Sequence, residues 1–236
     1  KAAGSLDHTG IARVWDSGTI SGITYIAYQF IEGANLKVRF DEISSRSPND
    51  IVAVVRRLAK AIHFAHEHGI VHRDIKPSNV LVSTDGMVKI ADMGLALLQA
   101  NGELTTTGQI MGTMDYIAPE QIENARDVDG RADLYSLGCT FYQLLSGRAP
   151  FALPEHDGVV QKLRAHEKCE PVPIGDLRAD VPDDVAQILG RLLAKKPQDR
   201  FATSAEFVEA ITPHASGAHI TKLIRRVNGI TEAEHS

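Results

Sequence analysis

The chain of 236 residues has a formal net charge of −5, and 43% of its residues are hydrophobic and 23% charged. These values are typical of a soluble globular protein, and the mild acidity gives no reason to expect nucleic acid or an anionic membrane as a partner. No apolar run approaches the roughly 20 residues that a membrane-spanning helix needs. The two isolated cysteines, Cys139 and Cys169, have no zinc-binding spacing and indicate reduced thiols in the cytoplasm.

The first part of the chain is predicted to form strands and then a helix. Alternating β-branched residues over 11–31, interrupted at Ser21 and Gly22, indicate two short strands joined by a turn. A helix is predicted over 48–68, because Ser47 before a proline gives a capped start and apolar residues follow at helical spacing.

The rest of the chain changes from short apolar segments to helices. Asp85 and Gly86 separate two apolar segments and predict a hairpin. Residues 99–115 are polar and rich in Gly and Thr, and a loop of this length in a compact domain is usually functional or mobile. Helical spacing then returns in three segments, the last beginning at Thr203. The sequence predicts a few strands followed by a helical body.

Four histidines lie close together at the end of the predicted helix: His63, His66, His68 and His72. Since His63 and His66 are three residues apart on a helix, a metal pair is one interpretation. The polar side of the helix carries them, and a metal site needs further ligands. We therefore interpret His63, His66 and His68 as surface residues.

Three motifs in sequence order point to a specific chemistry. They are His72-Arg73-Asp74-Ile75-Lys76-Pro77-Ser78-Asn79, then Asp92-Met93-Gly94, then Ala118-Pro119-Glu120. Together they are the signature set of protein kinases. The chain thus resembles a bacterial-type serine/threonine protein kinase catalytic domain over nearly its whole length.

The resemblance implies a role for each residue of the first two motifs that carries chemistry. Asp74 would be the catalytic base, and Lys76 would neutralise the transferring phosphoryl group of ATP. Asn79 and Asp92 would bind ATP through Mg²⁺, with Mn²⁺ as a possible substitute, because hard cations prefer oxygen ligands. Phosphoryl transfer depends mainly on such positioning and charge neutralisation.

The resemblance also implies an adenosine site and structural positions. The Gln29 carbonyl and the Ile31 amide would face adenine, and Asn35 would approach the ribose. Structural or regulatory roles fall to His72, Arg73, Thr113, Glu120, Asp133 and Arg200, with Thr113 bridging Asp74 and Lys76 and with Glu120 paired to Arg200. The candidate phosphorylation sites are Thr105, Thr106 and Thr107, whose phosphate would pair with Arg73; the alternative is that these threonines only solvate a loop.

The expected fold class is α+β and protein-kinase-like, with a partial small β-lobe and a complete, mainly helical C-lobe. By resemblance, residues 1–32 are the remnant of the N-lobe (the end of helix C, the family's fourth and fifth strands and the hinge), residues 33–212 the C-lobe, and residues 213–236 a tail. The partners would be protein substrates and a second kinase molecule for trans-autophosphorylation. The expected location is the cytoplasm, either as a separate protein or as the cytoplasmic domain of a membrane-anchored one.

The family's glycine-rich loop and its ATP-binding lysine have no counterpart in this sequence. We therefore expect the chain alone to be inactive or nearly so. Two alternatives remain open. One is a pseudokinase or scaffold without catalysis. The other is a helical interaction module with chance motifs, in which Asp74 and Asp92 would lie far apart.

Overall fold

The computed structural model describes residues 6–39, 45, 47–93, 114–124, 127–156 and 158–215. The strands in this part of the chain are β1 (Val14–Ile20), β2 (Ile23–Tyr28), β3 (Gly33–Asn35), β4 (Val80–Ser83) and β5 (Val88–Ile90). The α-helices are α1 (Pro48–Glu67), α2 (Pro119–Asn124), α3 (Arg131–Ser146), α4 (Val159–Lys168), α5 (Ile174–Leu177), α6 (Asp183–Leu192) and α7 (Ser204–Ile211). Short 3₁₀ turns lie at Pro77–Asn79, Met114–Tyr116, Pro154–His156, Pro197–Asp199 and Thr212–Ala215.

Strands β1 and β2 form an antiparallel hairpin. Its two-residue turn is Ser21-Gly22, with φ angles of 53° and 82°. A type I′ turn requires positive φ at both central residues, and its twist matches that of the flanking strands. The predicted pair of strands and the turn between them are therefore confirmed.

Strands β3, β4 and β5 form a second antiparallel sheet in that order. The turn between β4 and β5 includes Gly86, whose φ is 93°, so the predicted hairpin at this position is confirmed. The Ala12 amide donates to the Ile90 carbonyl (2.8 Å), and the Ile90 amide donates to the Gly10 carbonyl (2.8 Å). These bonds attach the segment before β1 to the end of β5, just before Asp92.

Helix α1 begins and ends where the sequence predicts. Ser47 is its N-cap: the Asp50 amide donates to the Ser47 Oγ (3.3 Å), and this hydroxyl donates to the Asp50 carboxylate (2.9 Å). Gly69 follows the helix with φ of 72°, a left-handed conformation that favours glycine. The apolar stripe packs against α3 and α7. Its fully buried residues include Ile51, Val55, Leu58 and Ile62.

Helix α3 lies at the centre of the helical body. Thirteen of its 16 residues are buried, including Leu134, Phe141 and Leu144. It ends at Gly147, which has φ of 89° and donates its amide to the Gln143 carbonyl (2.9 Å). A helix buried on almost all sides must be surrounded by other elements, and α1 and α6 both pack on it.

The two small sheets and the mainly helical remainder confirm the α+β fold class. The limits proposed for the lobes, at residues 32 and 212, stay a prediction. Within the described part of the chain, no helix combines the length and apolar character that crossing a bilayer requires.

Candidate active site

The loop between α1 and β4 brings a carboxylate, an ammonium group and an amide together. The Lys76 Nζ lies 2.6 Å from the Asp74 Oδ2. The Asn79 Nδ2 donates to the same oxygen (3.0 Å) and to the Asp74 carbonyl (2.9 Å). Pro77 begins the 3₁₀ turn that returns Asn79 towards Asp74, since its fixed φ suits the first position of a helical turn.

This cluster is partly withdrawn from solvent: the side chains of Lys76 and Asp74 are 14% and 35% exposed. Opposite charges attract more strongly there than in bulk water. Both of the side-chain contacts described for Asp74 use Oδ2. The carboxylate can therefore be held through one oxygen while the other is available to a substrate hydroxyl.

His72 connects this cluster to the segment that carries Asp92. Its ring is buried, and its Nε2 donates to the Ala91 carbonyl (2.9 Å) while its Nδ1 accepts from the Asp74 amide (3.2 Å). These partners assign the neutral tautomer protonated at Nε2. The Ala91 amide donates to the Asn79 carbonyl (2.8 Å). Residues 72–79, which carry Asp74, are the segment that we call the catalytic loop. Ala91 is bonded to this segment at both His72 and Asn79, and Asp92 follows it directly, which contradicts the interaction module with chance motifs.

Two residues of the site have left-handed backbone conformations: Arg73 with φ of 67° and Asp92 with φ of 62°. Such conformations cost about 1–3 kcal/mol each and cluster at functional sites. Around Arg73 the cost is offset by two bonds, because its amide donates to the Asp133 Oδ1 (2.7 Å) and its carbonyl accepts from the Gln121 Nε2 (2.9 Å). Gln121 was not predicted, since nothing in a single sequence marks a glutamine as a bridge.

Asp133, in the first turn of α3, is the buried anchor of the catalytic loop. In addition to the Arg73 amide, it accepts the His72 amide (2.8 Å) and the His66 Nε2 (2.8 Å) at its Oδ2. Burial alone would raise the pKa of this carboxyl. The hydrogen bonds that it accepts from His66 and from the His72 amide outweigh burial and lower the pKa of Asp133 below its ordinary value.

Glu120 and Arg200 form an ion pair that joins α2 to the segment before α7. The Arg200 Nη1 and Nη2 donate to the two Glu120 carboxylate oxygens at 2.6 and 2.9 Å. The other donors bond to the carbonyls of Ala194 (2.7 Å), Lys195 (3.0 Å) and Arg131 (2.9 Å). All five N–H groups of this fully buried guanidinium are satisfied, which is the condition for burying a charge.

The residues assigned to adenosine lie near the ends of β2 and β3. Gln29 and Ile31 are half-buried, and the Gln29 amide donates to the Arg13 carbonyl (2.7 Å). The Asn35 Oδ1 accepts from the Val38 amide (3.0 Å). Their contacts with a nucleotide stay predictions. Four further assigned residues, Thr105, Thr106, Thr107 and Thr113, lie outside the described residues.

The interpretation of His66 as a surface residue is wrong. Its side chain is 16% exposed and bonds to Asp133, and its Nδ1 lies 2.9 Å from the Ser204 Oγ. A signal was present, because position 66 is one helical turn beyond the buried Ile62 and so continues the apolar stripe. His63 and His68 are more exposed, and His63 lies 3.7 Å from the Glu67 carboxylate.

Asn79 and Asp92 offer oxygen ligands that suit a small divalent cation. Asn79 uses its amide nitrogen for both bonds to Asp74, so its Oδ1 remains for a ligand, with the Ser78 Oγ at 3.4 Å. Mg²⁺ prefers carboxylate and amide oxygens and keeps several of its waters. These residues therefore fit Mg²⁺.

Comparison with known proteins agrees with this geometry. The chain matches the protein kinase domain over residues 1–211. It is 34% identical over 210 residues to the serine/threonine-protein kinase PknB of Mycolicibacterium smegmatis, an alignment covering 86% of this chain and 33% of PknB. A probable serine/threonine-protein kinase of Clostridium acetobutylicum is 32% identical over 211 residues, covering 89% of this chain and 32% of that protein. The chain spans about a third of the length of these relatives.

Among solved structures, the fold is similar to the crystal structure of Rad53 1-466 in complex with AMP-PNP. The TM-score is 0.70 at 26% sequence identity, and the match covers 90% of this chain and 52% of the Rad53 chain. The family match extends over most of the sequence and includes all three motifs, and the described residues have the corresponding fold. The chain therefore belongs to the protein kinase domain family.

Proposed function

We propose that the chain is the catalytic part of an active serine/threonine protein kinase, which transfers the γ-phosphate of ATP to Ser or Thr hydroxyls of proteins. The observation that carries the proposal is the contact of Asp74 with both Lys76 (2.6 Å) and Asn79 (3.0 Å). A pseudokinase has no chemical need to keep this cluster together with Asp92. The similarity to proteins named as serine/threonine kinases supports the same assignment.

In this mechanism Asp74 orients the attacking hydroxyl and accepts its proton. The side-chain contacts with Lys76 and Asn79 hold its Oδ2, which leaves Oδ1 for the substrate. General-base assistance is typically worth about 10²–10⁴-fold in rate. Lys76, as a cation next to the base, offsets the negative charge of the transferring phosphoryl group.

Asn79 and Asp92 would hold Mg²⁺, which supplies charge neutralisation for the phosphates of ATP. Adenosine would be bound by the Gln29 carbonyl, the Ile31 amide and the Asn35 side chain. The AMP-PNP complex of Rad53 supports a nucleotide as ligand for this fold.

The substrates proposed for this kinase are other proteins, and a second kinase molecule would be one of them in trans-autophosphorylation. Lys76, two residues after Asp74, resembles the serine/threonine branch, as does Thr113. Both Cys139 and Cys169 are free thiols, which supports a reducing, cytoplasmic location.

The test uses the full-length protein that carries this chain, incubated with ATP and Mg²⁺, with phosphate mapped by mass spectrometry. Asp74→Asn should lower phosphate transfer about 10²–10⁴-fold, the usual contribution of a general base. Asp176→Asn is the matched control, because Asp176 is exposed on α5, and it should retain full transfer. Wild-type protein that is folded but transfers no phosphate would favour the pseudokinase or scaffold instead.

Regulation by phosphorylation of Thr105, Thr106 or Thr107 is part of the proposal. A phosphothreonine carries about −1.5 to −2 charges at neutral pH and would attract Arg73, which directly precedes the base. Replacing all three threonines by alanine in the full-length protein should lower activity and remove the phosphate from this loop. Full activity of the triple variant would show that the threonines do not regulate the enzyme.

A further inference from the structure

A chain of hydrogen bonds runs from the start of α7 to the catalytic loop. Ser204, the first residue of α7, is buried, and its Oγ lies 2.9 Å from the Nδ1 of His66. The Nε2 of His66 lies 2.8 Å from the Asp133 Oδ2. Asp133 in turn accepts the amides of His72 (2.8 Å) and Arg73 (2.7 Å), directly before the catalytic base.

The donors and acceptors along this chain can be assigned. An ionised carboxylate such as that of Asp133 can only accept hydrogen bonds. The Nε2 of His66 therefore carries a hydrogen and is the donor of the bond to Asp133. In the neutral ring the Nδ1 is then a lone-pair acceptor, and the hydroxyl of Ser204 is its donor. Each ring nitrogen of His66 therefore has one partner, and the two partners together determine how the ring faces Asp133.

Gly130 limits the space around this ring on one side. A Cβ atom at Gly130 would lie 2.6 Å from both the Cε1 and the Nδ1 of His66, which is closer than real Cβ contacts. Gly130 has an ordinary right-handed conformation with φ of −59°, so its lack of a side chain serves the contact and not the backbone. His66 thus has hydrogen-bond partners in Asp133 and Ser204, and the missing side chain of Gly130 leaves space for its ring.

We propose that Ser204 is a positioning residue for the catalytic loop, acting through His66 and Asp133. It keeps the His66 ring in the orientation that donates to Asp133, and Asp133 then holds the amides of His72 and Arg73. This role goes beyond the proposed function, because it connects α7 to the backbone next to Asp74. Only the kinetic part of the test below depends on that function.

The first test is amide hydrogen exchange of peptides covering residues 70–75, followed by mass spectrometry of the full-length protein. Ser204→Ala should raise the exchange of the His72 and Arg73 amides by about five- to tenfold, the equivalent of one hydrogen bond. Thr203→Ala is the matched control. It removes the N-cap of α7, where the Thr203 Oγ1 accepts the Glu206 amide (3.2 Å), and leaves the hydrogen bond between Ser204 and His66 in place.

Equal exchange of this peptide in Ser204→Ala and Thr203→Ala would overturn the proposal, because the effect would then come from a weaker α7. A second variant, Gly130→Ala, should raise the same exchange by displacing the ring while Ser204 and Asp133 remain in place. Unchanged exchange in Gly130→Ala would also contradict the proposal that Ser204 acts through His66 and Asp133.

A double-mutant cycle tests whether Ser204 acts through His66. In His66→Gln the side-chain amide can still donate towards Asp133 but has no group at the position of the Nδ1. Adding Ser204→Ala to this background should have no further effect on exchange, since the hydrogen bond from Ser204 to position 66 is already absent. An additional increase of fivefold or more in the double variant would show that Ser204 acts by another path.

Measurement of kcat and of the KM for ATP distinguishes a positioning role of Ser204 from a general loss of stability. Ser204→Ala should lower kcat about five- to tenfold, in proportion to the loss of order around Asp74, and leave the KM for ATP within about twofold. Thr203→Ala should change neither constant by more than about twofold. An unchanged kcat in Ser204→Ala would overturn the proposal, whereas an inactive wild type would contradict the kinase function and leave the exchange result valid.

Discussion

The replacement Glu120→Gln tests how much the buried ion pair with Arg200 contributes to the stability of the fold. Glu120 is the only charged partner among the described contacts of Arg200, whose side chain is 0% exposed. The neutral glutamine keeps the size of the side chain. It can offer one oxygen to the guanidinium, but its amide group then faces an N–H donor. The variant therefore leaves a buried cation without its counter-charge.

The expected loss follows from the burial of both partners. Removing one partner of a buried ion pair costs about 3–5 kcal/mol. The Glu120 side chain is 20% exposed, so water can partly solvate the group that replaces it. We therefore expect the free energy of unfolding to decrease by about 3 kcal/mol, near the lower limit of that range. For a chain of this length each kcal/mol lowers Tm by about 2–4 °C, which gives a decrease of about 6–12 °C.

The measurement is urea and thermal unfolding followed by circular dichroism, with Glu206→Gln as the matched control. Glu206 pairs with Arg191 at 2.7 Å, but the two side chains are 45% (Arg191) and 40% (Glu206) exposed. An exposed pair of this kind contributes about 0–1 kcal/mol. Equal losses in the two variants would refute the reasoning, because burial of Arg200 would then have no energetic consequence.

Two further predictions concern titration and reactivity. The pKa of Asp133 lies below its ordinary value of 3.8, so its contribution to stability is complete above that value and is lost as the pH falls through the folded pKa. Urea midpoints of Asp133→Asn should therefore decrease less steeply below about pH 4 than those of the wild type, and parallel curves would contradict this. Burial raises the pKa of the Cys139 thiol, and only the thiolate reacts with iodoacetamide. Mass spectrometry should thus find label on the partly exposed Cys169 alone in native protein and on both cysteines in urea, whereas native labelling of Cys139 would refute its burial.

The elements that the sequence predicted well depend on residues close together in the chain. The start of α1 is set by bonds between Ser47 and Asp50, three positions apart, and the first hairpin turn is favoured by Gly22, whose φ of 82° suits glycine. Such contacts form from local sequence, so caps and turns can be predicted from it. The three motifs likewise indicated the family, because their order and residue types are specific to one chemistry.

The contacts between residues far apart in the chain, which hold the site in place, could not be predicted in the same way. The pairing of Glu120 with Arg200 spans 80 positions, and it was expected only by resemblance; the three backbone carbonyls that complete the guanidinium were not expected at all. Ser204 and His66 are 138 positions apart. Neither residue type, nor any spacing between them, indicates that they meet.

The sequence by itself determined the strand and helix pattern and the family, and it predicted which residues would carry the catalytic chemistry. Only the tertiary structure decided that His66 is an internal link and not a surface residue, and that Asp133 joins it to the backbone of the catalytic loop. The physical reason is that a polar group must find partners once packing removes it from water. Which helix comes to cover it, here α7 with Ser204, depends on the packing of elements distant in sequence.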